Sequence, residues 1–182
     1  MVTERFCETI DNWFGELNNY SLKQLMIKPA KESWSLGQVY VHLIEATSYF
    51  LKQVETCLKT NDNENENCLP AARQMFINNA LPDMRLNGPP SNAKTAQPES
   101  KEQLQKGLFN LKEEIRRLEK IRQGSIFKGK TKHFGLHYFN ADEWLQFAEM
   151  HFRHHERQKQ RIETFLKEQT RKQLKKTDRN KP

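Results

Sequence analysis

No stretch of this 182-residue chain approaches the eighteen uninterrupted apolar residues that a membrane-spanning helix needs. Cysteine is scarce. Cys7, Cys57 and Cys68 are an odd count with no CxxC spacing, which argues against a disulfide frame or a zinc knuckle and reads as reduced thiols. The opening residues, MVTERFCETIDNW, place Glu4 and Glu8 where a secretory leader needs an apolar run, so a cytoplasmic protein is expected. Sustained apolar–polar alternation with hairpin turns is missing, and with it the pattern of a sheet protein. The basic run KGKTK at 128–132 lacks the glycine spacing of a phosphate loop.

A net charge of +7 raises the question of nucleic acid. Its distribution argues against a specific interface. Residues 167–182 hold seven basic residues (Lys167, Arg171, Lys172, Lys175, Lys176, Arg179, Lys181) against Glu168 and Asp178, a net +5 of the total. The remaining +2 is spread over residues 1–166. We therefore read one domain, 1–166, and a basic C-terminal extension, 167–182, expected to fray into solvent. Such a tail supplies only a salt-sensitive, non-specific attraction to nucleic acid.

What is present is helical periodicity. Apolar residues recur at spacings of three and four in four segments. The first holds Phe6, Ile10, Trp13, Leu17 and Tyr20. The second holds Val39, Leu43, Ala46, Phe50, Val54 and Cys57. The third holds Leu104, Leu108, Leu111, Ile115 and Leu118. The fourth holds Trp144, Ala148, His151, His155, Gln158, Ile162 and Phe165. The expected fold class is all-α, a four-helix bundle. Ser33 or Ser35 can cap the second helix, with Gln38 three residues beyond Ser35 as in a capping box; Pro98 and Ser100 precede the third, and Asn140 with Asp142 and Glu143 behind it starts the fourth.

The link over residues 60–99 is long and polar, with a short helix expected near 71–79. It is long enough to run the length of a bundle, so a crossover between helices two and three is allowed. Its NDNENEN run alternates Asp62, Glu64 and Glu66, but Asn67 stands where a calcium loop needs glycine and Arg73 where it needs a glutamate. It reads as a solvated loop.

Three of the six histidines fall within FAEMHFRHHERQ, residues 147–158. His151 and His155 take consecutive places on the apolar stripe of the fourth helix, where an i, i+4 pair projects both rings one way. His154 flanks the stripe. His42 lies one position off Leu43 and faces the bundle interior or its edge. Two facing helices can thus supply three neutral imidazoles to one ion, with open positions left over. Hydrogen-bonded core histidines are the competing reading of the same spacing.

The stretches ESWSLGQVYVHLIEA and KHFGLHYFNADEWLQFAEMHFRHHERQKQRI resemble the DinB/YfiT-like superfamily, which includes metal-dependent hydrolases and the bacillithiol and mycothiol transferases. The matching positions are Trp34, Ser35, His42, His133, Gly135, Trp144, His151, His155 and Gln158; Phe134 stands where the family's turn has proline. The resemblance implies a four-helix bundle with a crossover between helices two and three. It also implies a divalent metal on His42, His151 and His155, nickel or zinc foremost, with manganese or iron as alternatives.

Such an ion activates water for hydrolysis, or a low-molecular-weight thiol for transfer to an electrophilic small molecule. No acid follows the HExxH placement of a metalloprotease. Glu45, one turn beyond His42, is a candidate base or an orienting partner, and equally a solvated helix residue. His133, and after it His137, can reach the mouth of the site from the preceding loop. The expected function is a metal-dependent enzyme acting on a small molecule. Its alternative is a non-catalytic helical protein whose surface mediates homodimerisation, a state expected under either reading.

Overall fold

The computed structural model describes residues 2–82 and 94–179. Residues 83–93 of the long link, and Lys181 of the tail, lie outside it. The described chain is mostly helical: α1 (Val2–Leu17), α2 (Leu22–Leu25), α3 (Leu36–Cys57), α4 (Pro70–Asn78), α5 (Lys101–Gly124) and α6 (Ala141–Arg179), with a small hairpin, β1 (Thr131–His133) and β2 (His137–Phe139), before α6. No helix among these residues is long and apolar enough to cross a membrane.

Local chemistry sets the helix starts. Ser35 accepts from the Gln38 backbone at 3.2 Å while the Gln38 side chain accepts from the Ser35 backbone at 3.1 Å, a complete capping box on α3. Asn140 and Glu143 make the same reciprocal pair on α6, at 2.8 and 2.9 Å. Ser100 accepts from the Gln103 backbone and caps α5. Ser21 and Gln24 form a further box that makes the single turn of α2.

The periodic stripes are the core. Phe6, Ile10, Trp13 and Leu17 of α1 are buried, as are Leu104, Leu108, Leu111, Ile115 and Leu118 of α5. Each such side chain contributes roughly 1.5–3 kcal/mol by leaving water. α1 packs against α5 and α6, and so does α3. Gly107 allows the close approach of α5 to α3, since a Cβ there would sit 2.7 Å from Ile44 Cδ1. Two aromatic groups lie along α6. Trp13 meets Tyr40 and Phe152 edge-on. Farther toward the helix start, Phe50, Phe139, Trp144 and Phe147 pack together.

Two features depart from the sequence reading. The hairpin is one. Its register pairs Thr131 with Phe139 and His133 with His137. Gly135 (φ 87°) and His137 (φ 67°) take the left-handed conformations that close so short a turn. Trp144 Nε1 donates to Thr131 Oγ1 at 2.7 Å, fixing the hairpin to α6. The NDNENEN segment is exposed, as a solvated loop is expected to be, with its backbone tied to the hairpin: the Asp62 carbonyl accepts from the Lys130 backbone at 2.9 Å and the Asn67 carbonyl from the Tyr138 backbone at 3.5 Å. The second departure is the basic segment: expected to fray from residue 167, it continues α6 as helix to Arg179. The boundary at 166/167 falls inside a turn of helix, where no Pro or Gly interrupts the backbone ladder.

The short helix expected at 71–79 is α4, with Pro70 in its first turn and Asn79 in a left-handed cap. Gln146 of α6 donates to the Phe76 carbonyl and to Asn79 Oδ1, both at 3.0 Å. Arg153 donates to the Asn79 carbonyl at 2.8 Å while forking onto Glu149 through two bonds of 2.7 Å. Glu149 is 0% exposed, and Arg5 of α1 approaches it to 3.5 Å. α4 is thereby pinned to the outside of α6.

Candidate metal centre

His42 comes from α3 and His151 and His155 from α6, the two helices in most extensive contact. Their Nε2 atoms converge. His42 Nε2 lies 3.3 Å from His151 Nε2, and His155 Nε2 lies 3.2 Å from the same atom. One nitrogen from each ring falls within 4.8 Å of the others. Three nitrogens held at about 2.0–2.1 Å by one tetrahedral ion stand about 3.3–3.4 Å apart. Two of the three separations match that edge and the third lies within 4.8 Å, so the residues present can gather round one divalent ion.

The rings are withdrawn from solvent. His42 is 7% and His155 9% exposed, and His151 is half-buried. Burial pushes the His42 pKa down to about 4 and that of His155 to about 3. Burial also takes His151 well below the ordinary histidine value, with repulsion from the neighbouring imidazoles adding to it. All three are therefore neutral at pH 7, the form in which imidazole binds a metal.

Aromatic rings wall the cluster. Trp34, immediately before the α3 cap, lies 4.9 Å from the His42 ring and stacks at 6.4 Å on His155. Phe50 meets His151 edge-on at 5.6 Å, and Phe147 stacks on it at 6.5 Å. The sequence reading places Phe50 on a core stripe and assigns Phe147 no role. Their spacing was the signal: Phe147 precedes His151 by one turn and Phe50 follows His42 by two. Gln158 Oε1 lies 2.8 Å from His155 Nδ1.

The other candidates fall at different distances from this centre. His133 sits beside it, with Phe147 between: its ring packs 4.8 Å from Phe147 and 5.0 Å from Phe139. Its Nδ1 is buried with no hydrogen-bond partner, and burial pushes its pKa down to about 4. His154 flanks His155 edge-on at 5.6 Å, as its place off the stripe implied. His137 is exposed at the hairpin turn. Glu45 is exposed on α3, and among the described residues no hydrogen bond or ion pair ties its carboxylate to the imidazoles.

No family model matches this chain, and no curated protein and no solved structure matches it either.

Proposed function

We propose that this protein is a metal-dependent enzyme acting on a small molecule, a four-helix bundle of the DinB/YfiT-like kind in which α1, α3, α5 and α6 are the bundle helices and the α3–α5 link is the crossover. The observation that carries the reading is the convergence of three neutral Nε2 atoms at 3.2 and 3.3 Å. Three lone pairs so close together repel unless a proton or a cation lies between them. His42, His151 and His155 are the ligands, and three protein ligands leave positions open for substrate. A divalent ion there, nickel or zinc foremost, lowers the pKa of a coordinated water or thiol and polarises an electrophile.

The chain's own residues do the rest. Trp34, Phe50 and Phe147 keep bulk water from the imidazoles, which strengthens every electrostatic interaction among them. Among the described residues no carboxylate hydrogen-bonds to any of the three rings, so the nucleophile's proton leaves without a protein carboxylate directly on the centre. A low-molecular-weight thiol, closer to ionisation than water, suits that arrangement, with hydrolysis as the other outcome of the same ligand set.

Metal content of untagged protein, measured by plasma mass spectrometry, tests the reading. About one divalent ion per chain is expected in wild type and none in His151→Ala or His155→Ala. Wild-type protein that takes up neither nickel, zinc nor manganese would sink it and leave a helical protein with packed core histidines.

A further inference from the structure

We propose that Gln158 is a positioning residue for this centre: it holds His155 as the Nδ1–H tautomer, which leaves His151 as the ring that carries the shared proton when no metal is bound. The inference rests on the metal-centre reading, and begins with hydrogen-bond chemistry. A glutamine carbonyl oxygen accepts and cannot donate. Gln158 Oε1 stands 2.8 Å from His155 Nδ1, so the proton between them belongs to the imidazole. A neutral imidazole has one N–H, so His155 Nε2 is a bare lone pair. That is the nitrogen turned toward the cluster, 3.2 Å from His151 Nε2.

The contact then needs its proton from the other side. His151 Nε2 lies between two nitrogens, His155 Nε2 at 3.2 Å and His42 Nε2 at 3.3 Å. If His151 Nε2 bears the proton, it faces two acceptors and both contacts are attractive. If it does not, the contact with His155 sets lone pair against lone pair. The Nε2–H form of His151 leaves its Nδ1 as an acceptor, and that atom is buried with no partner. A divalent ion held by the three Nε2 atoms would require His151 to give up its Nε2 proton to solvent and take the Nδ1–H form, with that proton on a buried atom that has no acceptor. His155 needs no such change. Gln158 therefore prepares one ligand in its metal-binding form, while His151 switches. An outer partner of this kind fixes tautomer and ring orientation, and its loss typically weakens metal binding about 10- to 100-fold.

The test reads tautomers first, by long-range ¹H–¹⁵N NMR of the metal-free full chain. Wild type is expected to show His155 as Nδ1–H and His151 as Nε2–H. Gln158→Leu should lose the Nδ1–H form of His155; Gln158→Glu, which keeps an acceptor, should retain it. Zinc affinity, from competition with a chromophoric chelator, should fall about 10- to 100-fold in Gln158→Leu and return to wild type or better in Gln158→Glu. Thermal melting shows whether Gln158→Leu folds. An Nε2–H form of His155 in wild type, or an unchanged His155 tautomer in folded Gln158→Leu, overturns the proposal. If wild type takes up no zinc, the function reading falls, and the tautomer comparison alone still decides the role of Gln158.

Discussion

One turn of α6 separates His155 from Lys159, and both side chains are withdrawn from solvent, 9% and 1% exposed. Around Lys159 the fold supplies opposite charge. Glu156 lies 2.6 Å from its Nζ, Glu16 of α1 closes the pair from the other side, and the ammonium stands 4.9 Å over the Trp13 ring. Burial opposes the charge of Lys159, but the two carboxylates outweigh it and its pKa lies above the ordinary lysine value. Among the described residues nothing comparable stands around the histidines. The pKa of His42 is moved by burial alone, and the neighbours acting on His151 are other imidazoles. The lysine cluster is complete as it stands. The histidine cluster has no such opposite charge among the described residues, and burial keeps its rings neutral.

The sharpest way to break this comparison is pH. The folded-state pKa values of His42 and His155, about 4 and about 3, lie below the unfolded value of about 6.5. Between those limits the unfolded chain binds protons that the folded chain does not, so stability falls as pH falls from 6.5 toward 4. The two histidines together should remove about 4 kcal/mol between pH 6.5 and 4.5 in metal-free protein. Carboxylate terms enter mainly lower: Glu119, held by Arg122 to about 2, loses its contribution as pH drops through 4.5 toward 2. Urea unfolding at pH 6.5, 5.5 and 4.5 measures the slope. His133, likewise pushed down to about 4, adds to the same slope; His155→Leu should remove about 2 kcal/mol of it between pH 6.5 and 4.5. An equal slope in wild type and variant would mean the rings are not buried neutral.

Lys159 carries the next effect. Lys159→Ala leaves two carboxylates facing each other beside Trp13 and opens a cavity. Because Glu16 and Glu156 are themselves partly exposed, the loss should fall short of a fully buried pair, about 2–3 kcal/mol. Lys159→Met keeps the volume and should recover part of it. Zinc affinity should not move in either variant. If it dropped with Lys159→Ala, the two clusters would be one network.

What could be read from the sequence follows from how local each signal is. Ser35 and Gln38 are three residues apart and their box forms as the pattern implies; Asn140 caps α6 as expected, while Glu143, read only as an acid facing the helix dipole, also accepts from the Asn140 backbone. His151 and His155 share a face by helix geometry alone, and His42 joins them because α3 and α6 pack. Lys159 was hidden: the apolar stripe passes through Gln158, and the charges that make a buried lysine tolerable include Glu16, on another helix. The hairpin was hidden because strands of three residues are too short for alternation, and its anchors, Trp144 on Thr131 and Cys57 on the Phe139 carbonyl, are long-range. The end of α6 departs from expectation because charge composition suggests solvent exposure, which a helix also satisfies.

The smallest effect tests whether the start of α3 belongs to the fold or to the site. Ser35 is buried; it accepts from the Gln38 backbone and donates to Gln97 Oε1 at 2.8 Å. Ser35→Ala removes both bonds and should cost about 1–2 kcal/mol, the usual range for a lost cap, read as a lower urea midpoint at unchanged slope. Trp34, the preceding residue, is held against the His42 ring by packing at 4.9 Å and does not depend on the hydroxyl. Zinc affinity should therefore stay within about threefold of wild type, because a cap acts on the first turn and His42 lies in the second. A tenfold loss would show that the cap sets the angle of Trp34 over His42. The wall of the metal centre would then be built by the helix start rather than by the helix–helix contact that joins His42 to His151.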